Sequence, residues 1–155
     1  GFKSLQSHRV ASWLWENSRH TLAHYFQSRT SEVYGVDIHP AAKLGKGIMI
    51  DHGTGVVIGE TSVIEDNVSI FQGVTLGGTG KETGDRHPKV KEGVLLSASS
   101  TVLGNVQIGR NAKIAAGSVV LENVREGATV AGVPAKEVGQ AADSVPADEI
   151  DHLIE

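Results

Sequence analysis

A six-residue hydrophobic period runs through the middle of the chain and limits its fold more than any other feature. The aliphatic residues that keep this period form three series, namely Ile38, Leu44, Ile50, Val56, then Ile58, Ile64, Ile70, Leu76, and finally Leu96, Val102, Ile108, Ile114, Val120. The second series is displaced from the first by two residues. A period of six fits neither an α-helix nor an alternating strand, whose periods are about 3.6 and 2. It is typical of a parallel β-helix, in which each hexapeptide forms one short strand and one turn.

Three hexapeptides close one triangular coil of about eighteen residues, with the aliphatic residues pointing inward. The three series therefore predict four to five coils, stacked about 4.8 Å apart. The chain contains 19 glycines and only 5% aromatic residues, which favours a thin repetitive architecture over a bulky core. The predicted fold class is mainly β.

The sequence divides into a helical segment, the repeat array and a tail. Apolar residues at helical spacing predict one or two amphipathic helices within residues 1–36. The array is predicted over residues 37–138, with a glycine-rich loop at 77–93 where the period breaks. Residues 139–155 form the tail, and Pro146–Glu155 is predicted to be a short C-terminal helix.

Composition excludes several classes of function. The net charge of -4 argues against nucleic acid as a partner. The chain has no cysteine, which rules out disulfides, thiolate metal sites and a thiol acyl-enzyme within it. No apolar run approaches the eighteen residues of a membrane span, so a cytoplasmic location is expected. Because the chain begins at Gly1 without a methionine, it is expected to be a fragment.

Asp37 and His52 are the first candidates for chemistry. They stand fifteen residues apart, three short of one coil, which predicts that they lie along the same edge of the prism. A carboxylate that orients an imidazole makes a good general base for an alcohol. His39 is also close to Asp37 in the sequence, and the residues alone also allow a surface histidine beside an incidental acid.

The loop offers a second group of candidates. Arg86 is a natural clamp for a carboxylate, and His87 could bind or polarise a substrate. The run Gly77–Gly80 offers unhindered backbone N–H groups. His20 and His24 have a spacing that can bind a metal, but no third ligand stands nearby, and they are interpreted as an exposed helical face.

Several segments carry a resemblance to a known family. They are Asp37–Ala42, Asp51–Gly55, Gly59–Thr61, Val74–Lys81 and Gly84–Lys89. With these segments the chain resembles the serine O-acetyltransferases, a family of hexapeptide-repeat acyltransferases, and lacks most of their N-terminal helical domain. The resemblance implies a left-handed parallel β-helix. It also implies transfer of acetyl from acetyl-CoA, a co-substrate, to the hydroxyl of L-serine, giving O-acetyl-L-serine for cysteine biosynthesis, without a metal.

The resemblance also implies roles for single residues. It makes His52 the general base and Asp37 its orienting partner. The residues implied at the serine substrate are Asp51, Glu60, Arg86 and His87, and those implied at CoA are Gly78, Ala98, Lys113 and Ala116. The chain departs from the family at Ser97-Ala98-Ser99, where Gly-Ala-Gly is common.

Partners are implied in the same way. A homotrimer is expected, with each active site between two chains, and two trimers would associate if the full N-terminal domain were present. The family's tail often ends in Ile and docks into O-acetylserine sulfhydrylase, whereas this chain ends in Glu155.

Three other functions remain open from the sequence. A hexapeptide O-acetyltransferase could act on a sugar or an antibiotic, although the Arg86-His87 pair favours an amino-acid carboxylate. A zinc enzyme resembling the γ-class carbonic anhydrases could use His39, His52 and His87. An ice-binding or scaffold β-helix would need regular threonine ladders, and the threonines here are scattered.

Overall fold

Two helices lead into a long succession of short strands in the computed structural model, which describes residues 1–81 and 83–140. The helices are α1 (Phe2–Glu16) and α2 (His20–Tyr34). The first seven strands are β1 (Val36–Ile38), β2 (Lys43–Leu44), β3 (Met49–Ile50), β4 (Val56–Ile58), β5 (Val63–Ile64), β6 (Ser69–Ile70) and β7 (Thr75–Gly77). The remaining strands are β8 (Lys89–Val90), β9 (Leu95–Leu96), β10 (Thr101–Leu103), β11 (Gln107–Ile108), β12 (Lys113–Ile114), β13 (Val119–Val120), β14 (Ala128–Gly132) and β15 (Ala135–Gln140).

The strands form three sheets, which are the faces of a triangular prism. Face A contains β1, β4, β7, β10 and β13, face B contains β2, β5, β8 and β11, and face C contains β3, β6, β9, β12, β14 and β15. All pairs are parallel except β14 with β15. From β1 to β10, each strand pairs with the strand three places further along the chain, so the chain winds around the prism, and β12 pairs with β14. The predicted parallel β-helix is confirmed.

Pairing registers show where the coils depart from eighteen residues. Val102 pairs with Val120, which is the regular offset of eighteen. Ile38 pairs with Ile58, so the first coil is two residues longer. Ile64 pairs with Val90, so the coil that contains the loop is eight residues longer. Both insertions lie at corners, because the strands on either side keep their pairing.

The interior is a column of stacked aliphatic side chains, as the six-residue period predicts. The largest side chains with almost no exposure are Ile58, Ile64, Ile70, Leu76, Leu96, Ile108 and Ile114. Burial of one such side chain stabilises a fold by about 1.5–3 kcal/mol. The packed column therefore holds the turns at the corners, and the residues in them, in fixed positions.

One corner repeats a left-handed backbone conformation in every coil. Successive coils place Gly47, Asn67, Gly93, Asn111 and Gly127 there, with φ between 55° and 72°. Only glycine and, less readily, asparagine or aspartate adopt this conformation at low cost. The alternation of Gly and Asn at these positions is therefore required by the turn.

The helices cover the first coils. α1 buries Leu5, Ala11 and Leu14, and α2 is capped by Gly35, whose φ of 66° turns the chain into β1. The Arg9 guanidinium donates to the Leu44 carbonyl at 2.6 Å and so ties α1 to β2. Within the described residues, neither helix is long and apolar enough to span a membrane.

Some predicted boundaries differ from the structure. The strand pattern resumes at Lys89, so the loop occupies 78–88 and is shorter than the predicted 77–93. Both helices lie within the predicted segment 1–36, and the array continues through the β14–β15 hairpin to Gln140. The predicted C-terminal helix lies outside the described residues, as does most of the predicted tail.

His8 supplies a test of the helical segment's contribution to stability. The side chain lies on α1 with 4% exposure. Burial, with Arg9 as a second cause, lowers its pKa to about 4 from the usual 6.5. Between these two values the unfolded chain binds a proton that the folded chain does not, so the free energy of unfolding falls as the pH falls through this window. Between pH 7.5 and 5 the loss from His8 should be about 2 kcal/mol.

The measurement is urea unfolding at both pH values for the original chain and for His8→Asn. The variant should lose about 2 kcal/mol less on acidification, because its side chain does not titrate. His20→Asn removes an exposed histidine from α2 and controls for loss of an imidazole as such. An unchanged difference between the two pH values in His8→Asn would contradict the prediction.

Candidate active site

The two-residue insertion in the first coil lies in the turn 51–55, at the edge where face C meets face A. We call this edge the His52 corner. Equivalent turns in the later coils are shorter, as the pairing of Ile50 with Ile70 and of Ile58 with Leu76 shows. The insertion makes the chain bulge outward from the prism. The bulge places His52 in solvent, with 71% of its side chain exposed.

Local hydrogen bonds shape the bulge. His52 has a φ of 55°, in the left-handed region that is uncommon for residues other than glycine. Its backbone N–H donates to Asp51 Oδ1 at 2.9 Å, and the Gly53 N–H donates to the Asp51 carbonyl at 2.6 Å. The nearest ion-pair distance, from His52 Nε2 to Asp51 Oδ2, is 3.9 Å. The backbone therefore directs the imidazole away from the core.

Asp37 lies on β1, just past the same corner, and its side chain is half-buried. Its Oδ1 accepts a hydrogen bond from Gln27 Nε2 at 2.7 Å. Among the described residues of one chain, no hydrogen bond joins Asp37 to His52. The dyad of these two residues stays a prediction, and the structure places both at one edge, as expected.

Arg86 lies at a second edge, where face A meets face B, which we call the Arg86 corner. The Arg86 guanidinium contacts Glu60 at 2.8 Å and also donates to the Gly84 carbonyl at 3.1 Å. The hydrogen bond from Arg86 is the first cause that lowers the pKa of Glu60 below its usual range. At neutral pH this corner therefore holds an ionised pair, with the guanidinium about one-third exposed.

His87 stands beside this pair and is almost fully buried, with 7% exposure. Its Nδ1 accepts from the Thr61 backbone N–H at 3.2 Å and lies 2.9 Å from Thr61 Oγ1. Burial lowers the pKa of His87 below its usual range, and the Arg86 guanidinium adds to the effect. The imidazole is therefore neutral, and with Nδ1 as acceptor its proton is on Nε2. It can donate one hydrogen bond from that atom.

Thr61 also holds the backbone of the loop. Its Oγ1 accepts from the N–H groups of Arg86 and His87, each at 3.0 Å. Lys89 Nζ donates to the Thr61 carbonyl at 2.9 Å and pairs with Asp85 at 2.6 Å. The loop is thus tied at both ends of the Asp85–His87 segment. The sequence shows Thr61 only as part of Gly59–Thr61, without indicating this role.

Gly59 makes room for the His87 ring. A Cβ at Gly59 would lie 2.1 Å from His87 Cδ2 and 2.2 Å from Nε2, far inside van der Waals contact. The six-residue pattern explains why a small residue follows Ile58, but it does not identify the neighbour that requires it.

His39 lies at the same edge, one coil before Glu60. Burial lowers the pKa of His39 below its usual range, while the charge of Glu60 opposes this effect. Its Nδ1 accepts from the Ala41 N–H at 3.1 Å, so it too is a neutral imidazole with the proton on Nε2. Its ring packs edge-on against Trp15, with centroids 5.1 Å apart. This contact joins the helical segment to the site.

The residues implied at CoA lie on face C and at both edges of face A. Ala98 and Ala116 occupy equivalent turns of neighbouring coils at the His52 corner, where the Ala98 carbonyl accepts from the Gly117 N–H at 2.9 Å. Lys113 is exposed on β12, three residues before Ala116. Gly78 follows β7 and packs against Arg86. Ser99 has a φ of 58°, so this departure from Gly-Ala-Gly puts a serine in a left-handed position.

Within one chain the candidate residues form two groups. Glu60, Arg86, His87 and His39 gather at the Arg86 corner, whereas Asp37, Asp51 and His52 lie at the His52 corner. The zinc hypothesis required His39, His52 and His87 to lie together. His39 and His87 share the Arg86 corner, whereas His52 lies at the His52 corner. In the described ranges, 1–81 and 83–140, no group of three or more His, Asp or Glu side chains is arranged to hold a metal ion.

Comparison with known proteins places this arrangement in a family. A family model described as bacterial transferase hexapeptide (six repeats) matches residues 87–122. A serine acetyltransferase of Haemophilus influenzae is 59% identical over 147 residues, which are 95% of this chain and 55% of that protein. Over nearly its whole length, this chain is a relative of the serine acetyltransferases. It spans about half the length of the curated relatives that it matches.

Solved serine acetyltransferases have the same fold. A serine acetyltransferase from Brucella abortus strain S19, in complex with coenzyme A, has a TM-score of 0.91 at 57% identity, covering 92% of this chain and 57% of that chain. A serine acetyltransferase in complex with cysteine has a TM-score of 0.94 at 57% identity, covering 99% and 60%. The fold is thus the left-handed parallel β-helix of these enzymes.

Proposed function

We propose that this chain transfers the acetyl group of acetyl-CoA to the hydroxyl of L-serine and so supplies O-acetyl-L-serine for cysteine synthesis. The observation that carries the proposal is the pair formed by Arg86 and neutral His87 on a loop that Thr61 and Lys89 hold in place. A guanidinium beside an N–H donor suits a small carboxylate. The high identity to serine acetyltransferases supports serine as the acceptor.

The chemistry needs one general base and no covalent intermediate on the protein. His52 takes the proton of the serine hydroxyl as its oxygen attacks the thioester carbonyl, while Asp37 stabilises the imidazolium that forms. The tetrahedral intermediate then collapses, the C–S bond breaks, and His52 returns the proton to the CoA thiolate. Backbone N–H groups beyond β7, near Gly78, would stabilise the oxyanion.

The remaining substrate contacts follow from the two corners. Arg86 and His87 would bind the serine carboxylate, with Glu60 holding the guanidinium in place until substrate arrives. Asp51 would bind the amino group. CoA would run along the turns that contain Ala98 and Ala116, with Lys113 toward its phosphates.

A complete site requires two chains if His52 and Arg86 act on one serine, because they lie at different edges of one prism. We therefore propose a homotrimer in which the His52 corner of one chain faces the Arg86 corner of the next. Val57 on face A is 40% exposed and Leu121 is 50% exposed, which provides apolar area for such contacts. Two trimers would associate in a protein with the full N-terminal domain.

Other partners and the location extend this proposal. We propose that the enzyme acts in the cytoplasm. Docking of O-acetylserine sulfhydrylase would use the tail, which lies outside the described residues.

An acceptor assay tests the function directly. Serine, threonine, homoserine and a simple sugar are compared with acetyl-CoA, and release of the CoA thiol is followed with a thiol reagent. The chain contains no cysteine, so the protein itself gives no background. Serine should be the preferred acceptor by kcat/KM. Preference for the sugar would support the alternative acetyltransferase, and no acetyl transfer to any acceptor would contradict the proposal.

Gly59→Ala should lower kcat/KM for serine by about tenfold. The new methyl group would force the His87 ring out of its place, and overpacking of this kind costs about 1–3 kcal/mol. Gly59 does not have a left-handed φ, so the backbone itself tolerates alanine. Gly139→Ala is the matched control, because a Cβ at Gly139 meets no atom within 4 Å. Equal activity of the two variants would contradict a role for the His87 position.

A further inference from the structure

Gln27 on α2 connects the helical segment to Asp37 through both ends of its amide. Gln27 Nε2 donates to Asp37 Oδ1 at 2.7 Å, and Gln27 Oε1 lies 3.1 Å from His24 Nδ1. The side chain is half-buried between the helix and β1. The hydrogen bond to Asp37 involves an ionised acceptor and is therefore of the stronger kind.

The two contacts determine the orientation of the amide. A carboxylate only accepts hydrogen bonds, so the NH₂ group must face Asp37 and the carbonyl oxygen must face His24. His24 then donates from Nδ1. The opposite orientation would place Oε1 against the Asp37 carboxylate and lose the hydrogen bond to Asp37.

The backbone of Asp37 is fixed by its neighbours, so only the side chain has freedom to turn. Val36 and Ile38 are buried in the core, and all three residues of β1 pair with β4. The carboxylate therefore turns only about its side-chain torsions. With Oδ1 bound by Gln27, Oδ2 remains to accept from the His52 imidazole.

The position of Gln27 is in turn fixed by packing of α2. The His24 ring packs edge-on against Trp15 and His39, with centroid distances of 5.3 Å and 5.5 Å. These rings connect α1, α2 and the turn after β1. The amide is thus presented from a rigid element, which is the arrangement that a precise positioning contact requires.

We propose that Gln27 is a positioning residue for the reaction and acts through Asp37. It holds the carboxylate in the orientation in which it supports His52 as general base. This inference rests on the proposed function, since it needs the Asp37–His52 dyad. It assigns part of the catalytic machinery to the helical segment, outside the β-helix.

Gln27→Met and Gln27→Glu test the proposal. Methionine keeps the volume and removes both hydrogen bonds, and should lower kcat about tenfold while KM for serine and acetyl-CoA changes less than about twofold. Glutamate should lower kcat further, because it puts a second carboxylate against Asp37. Gln6→Met makes the same change at an exposed position of α1 and should have no effect.

Thermal unfolding of each variant separates positioning from folding. A Gln27→Met chain with an unchanged melting temperature and unchanged kcat would overturn the proposal. So would a rise in both KM values with kcat unchanged, which would indicate a role in shaping the site rather than in supporting the base.

A double-mutant cycle with Asp37→Ala tests the path of the effect. If Gln27 acts through Asp37, then Gln27→Met should lower kcat about tenfold in the original chain and not at all in Asp37→Ala. Additive losses would overturn the proposal. If the original chain acetylates no serine, the proposed function fails. If Asp37→Ala leaves kcat unchanged while the original chain is active, Asp37 does not support His52, and this inference is wrong as well.

Discussion

Replacement of His52 by alanine should lower kcat by about 10²–10⁴, which is the contribution of a general base. The side chain is 71% exposed and the two-residue insertion directs it away from the core, so the fold does not depend on its packing. The loss of activity should therefore appear in kcat, and any fall in the melting temperature should come only from the backbone conformation at this position. Steady-state assays with saturating serine and acetyl-CoA provide the measurement.

The backbone at His52 requires a second variant. Its φ of 55° lies in the left-handed region, which asparagine adopts more readily than alanine. His52→Asn should be as inactive as His52→Ala but closer to the original chain in stability. His20→Ala, at an exposed histidine on α2, is the matched control for activity. Activity within tenfold of the original in both His52 variants would move the role of base to His39 or His87.

Arg86→Ala should raise KM for serine by about 10²-fold and leave KM for acetyl-CoA within a fewfold. A partly desolvated guanidinium contributes a few kcal/mol to binding of a carboxylate, and this contact exists in the ground state as well as in the transition state. The variant also leaves Glu60 without its cation, which places a negative charge where the serine carboxylate should bind. Both effects weaken serine binding.

Arg125→Ala is a matched control, because Arg125 also pairs with a glutamate. Its partner, Glu137, lies on β15, away from the site. Its kinetic constants should be those of the original chain. Equal weakening of both substrates by Arg86→Ala would show that the residue shapes the loop instead of binding serine.

The hexapeptide period predicted the core because the aliphatic residue of each hexapeptide must point into the interior of the prism. Ile64 and Ile108 are inside as expected, and so are the other members of the second and third series. Val90 was missed, although it is buried and pairs with Ile64. The loop shifts the count by eight residues, and no pattern within the loop shows where the period resumes.

The candidate site was predictable to the extent that it depends on short segments. Arg86, His87 and Glu60 lie together, and the displacement of two residues between the first and second series marks the bulge that carries His52. Thr61 and Gln27 were not identified as contacts of His87 and Asp37. Their partners stand 26 and 10 residues away in the sequence, at distances that only the winding of the chain and the docking of α2 determine.

The hairpin of β14 and β15 ends the succession of parallel strands on face C. A parallel β-helix has no internal reason to stop, since each coil presents an edge onto which another could add. β15 runs antiparallel to β14, from Ala135 back along the strand to Gln140, and occupies that edge on face C. A further coil would meet a strand of the wrong direction. On face C the hairpin therefore blocks the addition of a further parallel strand.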